Sequence, residues 1–199
     1  MRRPMDLSDE ELVARAREGD RPAFARLVER HSVSVFNLTL RIVGNREDAE
    51  EAAQDVFVRA FRSLDRFRGD SRFSTWLYRI AVNVSLSSAR RSRRDLSTTS
   101  LSEPEDDEDG LPMQLPDPSA DPAERFEQAE FRDQVRNMVA ALPPIYSAVI
   151  SMYHMQSLSY DEIAEALELP IGTVKARLFR ARAALRKLIY RSIEPDTLS

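Results

Sequence analysis

Residues 95–125, DLSTTSLSEPEDDEDGLPMQLPDPSADPAER, hold ten acidic side chains against one Arg, together with Pro104, Pro112, Pro116, Pro118 and Pro122. Each proline fixes φ and removes a backbone donor, so neither a helix interior nor a central strand accommodates that spacing. The stretch also carries too little apolar surface to offset the entropy of ordering it. It is expected to be a flexible or extended linker. A chain divided this way must bury its apolar surface in two parts, here residues 1–94 and 126–192, with a short tail at 193–199. The whole chain has 199 residues and a formal net charge of −4, and this segment supplies most of that acidity.

Both parts read as helical. The chain has five Gly and 8% aromatic residues and is rich in Ala, Leu, Arg and Glu, a balance that favours helix over sheet. SDEELVARAREG begins with an N-cap Ser8 and Glu11 three residues on, and stops at Gly19. Phe24, Leu27, Val28, Val35, Leu38 and Ile42 recur at helical spacing before Gly44 and Asn45. A third helix, REDAEEAAQDVFVRAFRSLDRF, has an apolar stripe of Ala49, Ala53, Val56, Phe57, Ala60 and Phe61. A turn, RGDSRFS, leads to a fourth helix, TWLYRIAVNVSLSSARRSRR. In the second part AERFEQAEFRDQVRNMVAAL ends at Pro143-Pro144, PIYSAVISMYHMQS follows, and Ser159 with Glu162 opens SYDEIAEALEL as a capping box. The expected fold is all-α: two small helical domains joined by the acidic linker.

The excluded classes are as informative. Without Cys there is no disulfide, thiol chemistry or Cys-based zinc site. His31 and His154 are the only histidines, so no His cluster can hold a metal, and Met152 and Met155 at helical spacing suit a core. EPEDDEDG lacks the ligand spacing of a calcium loop. No phosphate-cradling Gly loop and no nucleophile paired with a base is present. No apolar run reaches the roughly 18 residues of a membrane span, and MRRPMDLSDEELV has no apolar core of a secretory signal. A cytoplasmic protein without cofactor, and not an enzyme, is expected.

Two basic clusters stand out against the acidity. From 169 to 193 there is no acid, and this stretch follows an eight-residue helix and a short turn at Glu168-Leu169. The pattern is that of a helix-turn-helix. Val174, Leu178, Ala181, Leu185 and Leu188 form one apolar stripe, so Lys175, Ala176, Phe179 and Arg180 project elsewhere, near the end that a recognition helix lays against base edges. The second cluster, residues 66–94, has eight Arg and one acid, interleaved with Phe67, Phe73, Trp76 and Tyr78. Cations with rings suit an unpaired strand, because cations follow phosphates and rings accept bases. Taken singly, Phe73, Trp76, Leu77 and Ile80 suit core packing. Asn83, Arg90, Arg91, Arg93 and Arg94 are stronger candidates for nucleic-acid contact. Asp48, Glu51 and Asp55 share a third face, either solvated or a dock for a basic partner.

Two segments together resemble one family. DAEEAAQDVFVRAFRSLDRFRGDSRFSTWLYRIAVNV is similar to the second domain of extracytoplasmic-function sigma factors, and LPPIYSAVISMYHMQSLSYDEIAEALELPIGTVKARLFRARAAL to their fourth. The resemblance implies a transcription initiation factor that binds core RNA polymerase and directs it to promoters. By that analogy Asp48, Glu51, Gln54 and Asp55 dock on the clamp of the largest polymerase subunit. Arg68, Asp70, Ser71, Phe73, Trp76, Arg79, Asn83, Arg90 and Arg91 meet the melted minus-10 strand. Thr173, Lys175, Ala176, Arg177, Phe179 and Arg180 meet the minus-35 duplex. An anti-sigma factor is a family expectation. Ser87 stands where the family usually carries Asp, which bears on the minus-10 preference. The alternatives are a helix-turn-helix regulator acting without polymerase, or a metal-dependent nucleic-acid enzyme built on the acidic run.

Overall fold

The computed structural model describes residues 7–96 and 134–193, and every regular element among them is helical. The bulk of the acidic segment, the start of the helix expected from residue 123 and the tail lie outside the described residues. Four helices form the first group: α1 (Asp9–Arg17), α2 (Arg21–Val43), α3 (Arg46–Ser63) and α4 (Phe73–Leu96). A 3-10 turn, Leu64–Arg66, follows α3. The second group has residues 134–140 (α5), then α6 (Pro144–His154), α7 (Tyr160–Leu167) and α8 (Ile171–Ile193).

The helix boundaries follow from local chemistry. Ser8 and Glu11 cap α1 reciprocally: the Glu11 amide donates to Ser8 Oγ at 3.2 Å and the Ser8 amide to Glu11 Oε2 at 2.8 Å. Ser159 and Glu162 do the same for α7. Gly44 ends α2 at φ 92°, in the left-handed region that a side chain there would resist. Asn45 next door caps α3 through the Asp48 amide. Where the sequence predicts one helix running to Phe67, α3 ends at Ser63 and tightens, with the Phe67 amide donating to Leu64 O at 3.1 Å. The fourth helix instead gains residues at both ends.

Leu12, Leu27, Leu38, Val56 and Leu77 are fully buried where α1 to α4 converge, and Val139, Val149, Met152, Ile163 and Leu178 fill the second group. Burial of each such side chain contributes about 1.5–3 kcal/mol. Thr39 Oγ1, wholly buried, donates to Phe36 O at 2.8 Å and lies 3.2 Å from Ala49 O, which ties α2 to α3. The two groups also meet, α2 and α4 against α6 and α7. At that junction Ser147 Oγ donates to Arg41 O at 2.6 Å and Gln156 Nε2 to Ser34 O at 3.5 Å. Burial, with Arg136 close by, pushes the Arg41 guanidinium down from its ordinary value.

Candidate nucleic-acid interface

In α8, Val174, Leu178, Ala181 and Leu185 are buried and Leu188 is half-buried, so the expected stripe holds the helix on its own core. Lys175, Ala176, Phe179 and Arg180 are exposed together on the opposite side, and Thr173 and Arg177 are half-buried at the margins of that face. Phe179, at 43% exposure, is a large ring with no structural reason to face water. The Lys175 ammonium lies 5.9 Å from the Tyr160 ring centroid, which steers its stem along α7. Further along, Arg182 Nη2 approaches His154 Nε2 at 3.5 Å. Burial and that cation lower the His154 pKa from its ordinary value, so the ring favours the neutral form that accepts.

On α4, Arg72 just before the helix, then Trp76, Arg79, Asn83, Ser87 and Arg90, step by four and three and therefore share one face. Asn83, Ser87, Arg90 and Arg91 are exposed; Trp76 and Arg79 are half-buried. The side chains of Arg93 and Arg94 lie outside the described residues. Arg68 and Asp70 are exposed on the loop before α4, Ser71 is half-buried, and Gly69 adopts φ 80°.

Phe73 needs correction as a surface candidate. It is 2% exposed and sits with its ring centroid 5.9 Å from Phe67, 5.7 Å from Trp76 and 5.5 Å from His31. Its place is in the core, where its ring packs against Trp76. Of the stripe expected on α3, Ala49, Ala53, Val56 and Ala60 are buried and Phe57 is half-buried, with Ala52 buried beside them; Phe61 departs from it, 49% exposed with its ring against Phe24.

Along α3, Glu51 and Gln54 are exposed and Asp48 and Asp55 half-buried. Asp55 Oδ2 accepts from Arg59 Nε at 2.9 Å. Asp48 is structurally occupied: its carboxylate accepts from Asn45 Nδ2 at 2.8 Å and from Ser92 Oγ at 2.7 Å. Those hydrogen bonds, Asn45 first, hold its carboxyl below the usual carboxylate range.

Sequence patterns carry no sign of two contacts across the groups. Arg79 pairs with Glu168, the left-handed residue at φ 53° in the turn of the helix-turn-helix, and Arg72 Nη1 lies 3.8 Å from Glu162 Oε1. Cations at the start of α4 thus meet carboxylates of α7 and its turn. Such pairings join residues far apart in sequence, and only the fold brings them together.

Comparisons with known proteins match the same two groups. The family model for Sigma-70 region 2 covers residues 27–95, and that for Sigma-70 region 4 covers residues 132–185. The ECF RNA polymerase sigma-E factor of Escherichia coli is 38% identical over 90% of this chain and 93% of its own length. The ECF RNA polymerase sigma factor SigW of Bacillus subtilis is 34% identical over 92% and 97%. Among solved structures, CnrH in complex with the cytosolic domain of CnrY superposes with TM-score 0.61 at 27% identity, over 91% of this chain and 96% of that one. The sigma factor RpoE of Bartonella quintana, solved with the anti-sigma factor NepR, shares the fold at TM-score 0.57 and 21% identity, over 84% and 96%.

Proposed function

Because this chain belongs to the sigma-70 family, in its extracytoplasmic-function group, and directs RNA polymerase to promoters, we propose that three of its faces divide that task. The exposed Lys175, Ala176, Phe179 and Arg180 of α8, flanked by Thr173 and Arg177, read the minus-35 element as duplex in the major groove. The shared face of α4, with Trp76, Arg79, Asn83, Arg90 and Arg91, together with Arg68, Asp70 and Ser71 of the loop, holds the melted minus-10 strand. Glu51, Gln54 and Asp55, with Asp48 in support, dock on the polymerase clamp.

The observation that carries this division is the α4 stripe, from Arg72 through Trp76 and Asn83 to Arg90. A repressor that grips only duplex DNA has no use for a ring and an amide set among arginines on a second face. Linking two weak readers through one polymerase makes the second contact intramolecular and raises its effective concentration. RNA synthesis itself stays with the polymerase, in the cytoplasm, and this chain supplies no catalytic group. An inhibitor of the anti-sigma kind is a further partner, supported by the shared fold with RpoE, which was solved with one.

Reconstituted transcription tests the assignment. Core polymerase plus this chain, and no other initiation factor, should start at defined promoters, with thymines of the minus-10 region becoming reactive to permanganate. Tight binding of the free chain to a duplex operator, with no start under any condition, would overturn it.

A further inference from the structure

Arg17, the last residue of α1, lies outside all three faces. Its Nε donates to Leu64 O at 3.2 Å, and its Nη2 donates to Asp65 O at 2.9 Å and to Phe67 O at 2.5 Å. These acceptors lie where α3 tightens into its 3-10 turn and ends, and Leu64 O takes the Phe67 amide as well as the guanidinium. A cation there also complements the negative end of the helix. One guanidinium therefore sets the direction in which the chain leaves α3 and enters the Arg68–Ser71 loop. Phe67 is turned inward against Phe73 and Trp76, its carbonyl held by Arg17.

Between α1 and this loop lies an open cleft of about 370 Å³, lined by Glu10, Val13, Arg17, Phe67, Arg68 and Ser71. Its volume falls in the range of roughly 300–1,000 Å³ usual for small-molecule sites. The planar fork of Arg suits this task, since it offers several donors in fixed directions. Lys offers one compact ammonium instead.

We propose that Arg17 is a positioning residue that presets the loop through 68–71 for capture of an unpaired base of the melted strand. The inference rests on the strand-reading role of that loop. A loop fixed before binding loses less conformational freedom on binding, and the gain shows as affinity for the strand alone. Arg17 touches no base itself; it acts through the carbonyls of Leu64, Asp65 and Phe67.

The test uses holoenzyme and a fork-junction DNA pool, randomised over its single-stranded non-template segment, from which the wild type selects a preferred strand. Single abasic sites are then walked along that strand. At a captured base the wild type should lose roughly five- to 150-fold in affinity, the range that stacking of a base on a side chain supplies. In Arg17→Ala the intact strand should bind more weakly by about the factor that the abasic site costs the wild type, and the abasic penalty should shrink toward none, because the two losses are one loss. Arg17→Lys should fall between, and it carries the test should the Ala variant fold poorly. Core-polymerase affinity should remain at the wild-type value in both. A full abasic penalty in both variants, beside a lowered melting temperature, would make Arg17 a helix cap and overturn the proposal. Absence of any sensitive position in the wild type would instead sink the strand-reading role on which it rests.

Discussion

The guanidinium of Arg79 on α4 pairs with the carboxylate of Glu168, the residue that turns the chain between α7 and α8. Arg72 and Glu162 form a second, looser pair beside it at 3.8 Å. Cations assigned to the melted strand are thus neutralised by the helix-turn-helix of the same molecule. Phosphates and these carboxylates compete for the same arginines. The pairs are largely exposed, so each contributes only about 0.2–1 kcal/mol. The expected effect is accordingly modest. Glu168→Gln with Glu162→Gln, the latter chosen because Gln still completes the capping box, should raise the free chain's affinity for single-stranded DNA by roughly two- to tenfold at low salt. Fluorescence anisotropy across a salt series reads it, and an unchanged affinity would show that the pairs do not compete with phosphate.

How much of this was legible in the sequence depended on the range of the interaction. Ser8 with Glu11, Ser159 with Glu162, and Gly44 with Asn45 are caps between neighbours, and each lies where the residue types place it. The stripe of α8 follows from period alone. The end of α3 did not, because its tightening involves Arg17, some 47 residues away in the chain from Leu64. Phe61 and Phe73 show the same limit. Both fit an apolar period and both fit an exposed ring beside arginines. Phe61 proves half-exposed and Phe73 buried because Phe24 meets one at the surface while Phe67, His31 and Trp76 enclose the other.

Phe73 and Asn83 should therefore separate cleanly. Phe73→Ala opens a cavity beneath Trp76 and should cost about 3–5 kcal/mol of stability, with all functions lost together. Asn83→Ala removes an exposed amide and should stay within about 0.5 kcal/mol of wild type, while weakening the melted-strand complex. Thermal denaturation beside fork-junction binding distinguishes the two. A stable Phe73→Ala protein with only strand binding impaired would return that ring to the interface.

Asp48 couples α3 to the end of α4 through Asn45 and Ser92. Its carboxyl is held below the ordinary carboxylate range in the folded chain, chiefly by Asn45, so the unfolded chain takes up the proton first. The stabilising contribution is complete above the ordinary carboxylate pKa and is lost as pH falls through the lower folded value. Asn45→Ala should raise the Asp48 pKa toward the ordinary value, seen by NMR titration, and remove a cap worth about 0.5–2 kcal/mol. Glu51→Lys and Asp55→Lys, in contrast, should weaken core-polymerase binding, and Glu51→Lys should move that titration the other way, since a cation one turn from Asp48 favours its carboxylate. Equal loss of core binding in Asn45→Ala and Glu51→Lys would show that helix integrity, rather than surface charge, governs the dock.

Recognition of the upstream element should be separable from everything else. Arg180 and Lys175 lie on the face of α8 opposite Val174, Leu178 and Ala181, so neither supports the core. A bidentate contact from an arginine to guanine O6 and N7 discriminates by about 1–3 kcal/mol, whereas a lysine on phosphate contributes without regard to sequence. Arg180→Ala should reduce initiation roughly five- to 150-fold at promoters that depend on the minus-35 element and flatten the preference at one base pair. Lys175→Ala should weaken all duplexes alike and lower the steepness of the salt dependence by about one charge. Both variants should bind core polymerase and the selected single strand as the wild type does. If Arg180→Ala instead weakens every duplex equally, the guanidinium is a phosphate contact, and base selection passes to Phe179, Ala176 and the remaining exposed side chains of the same face.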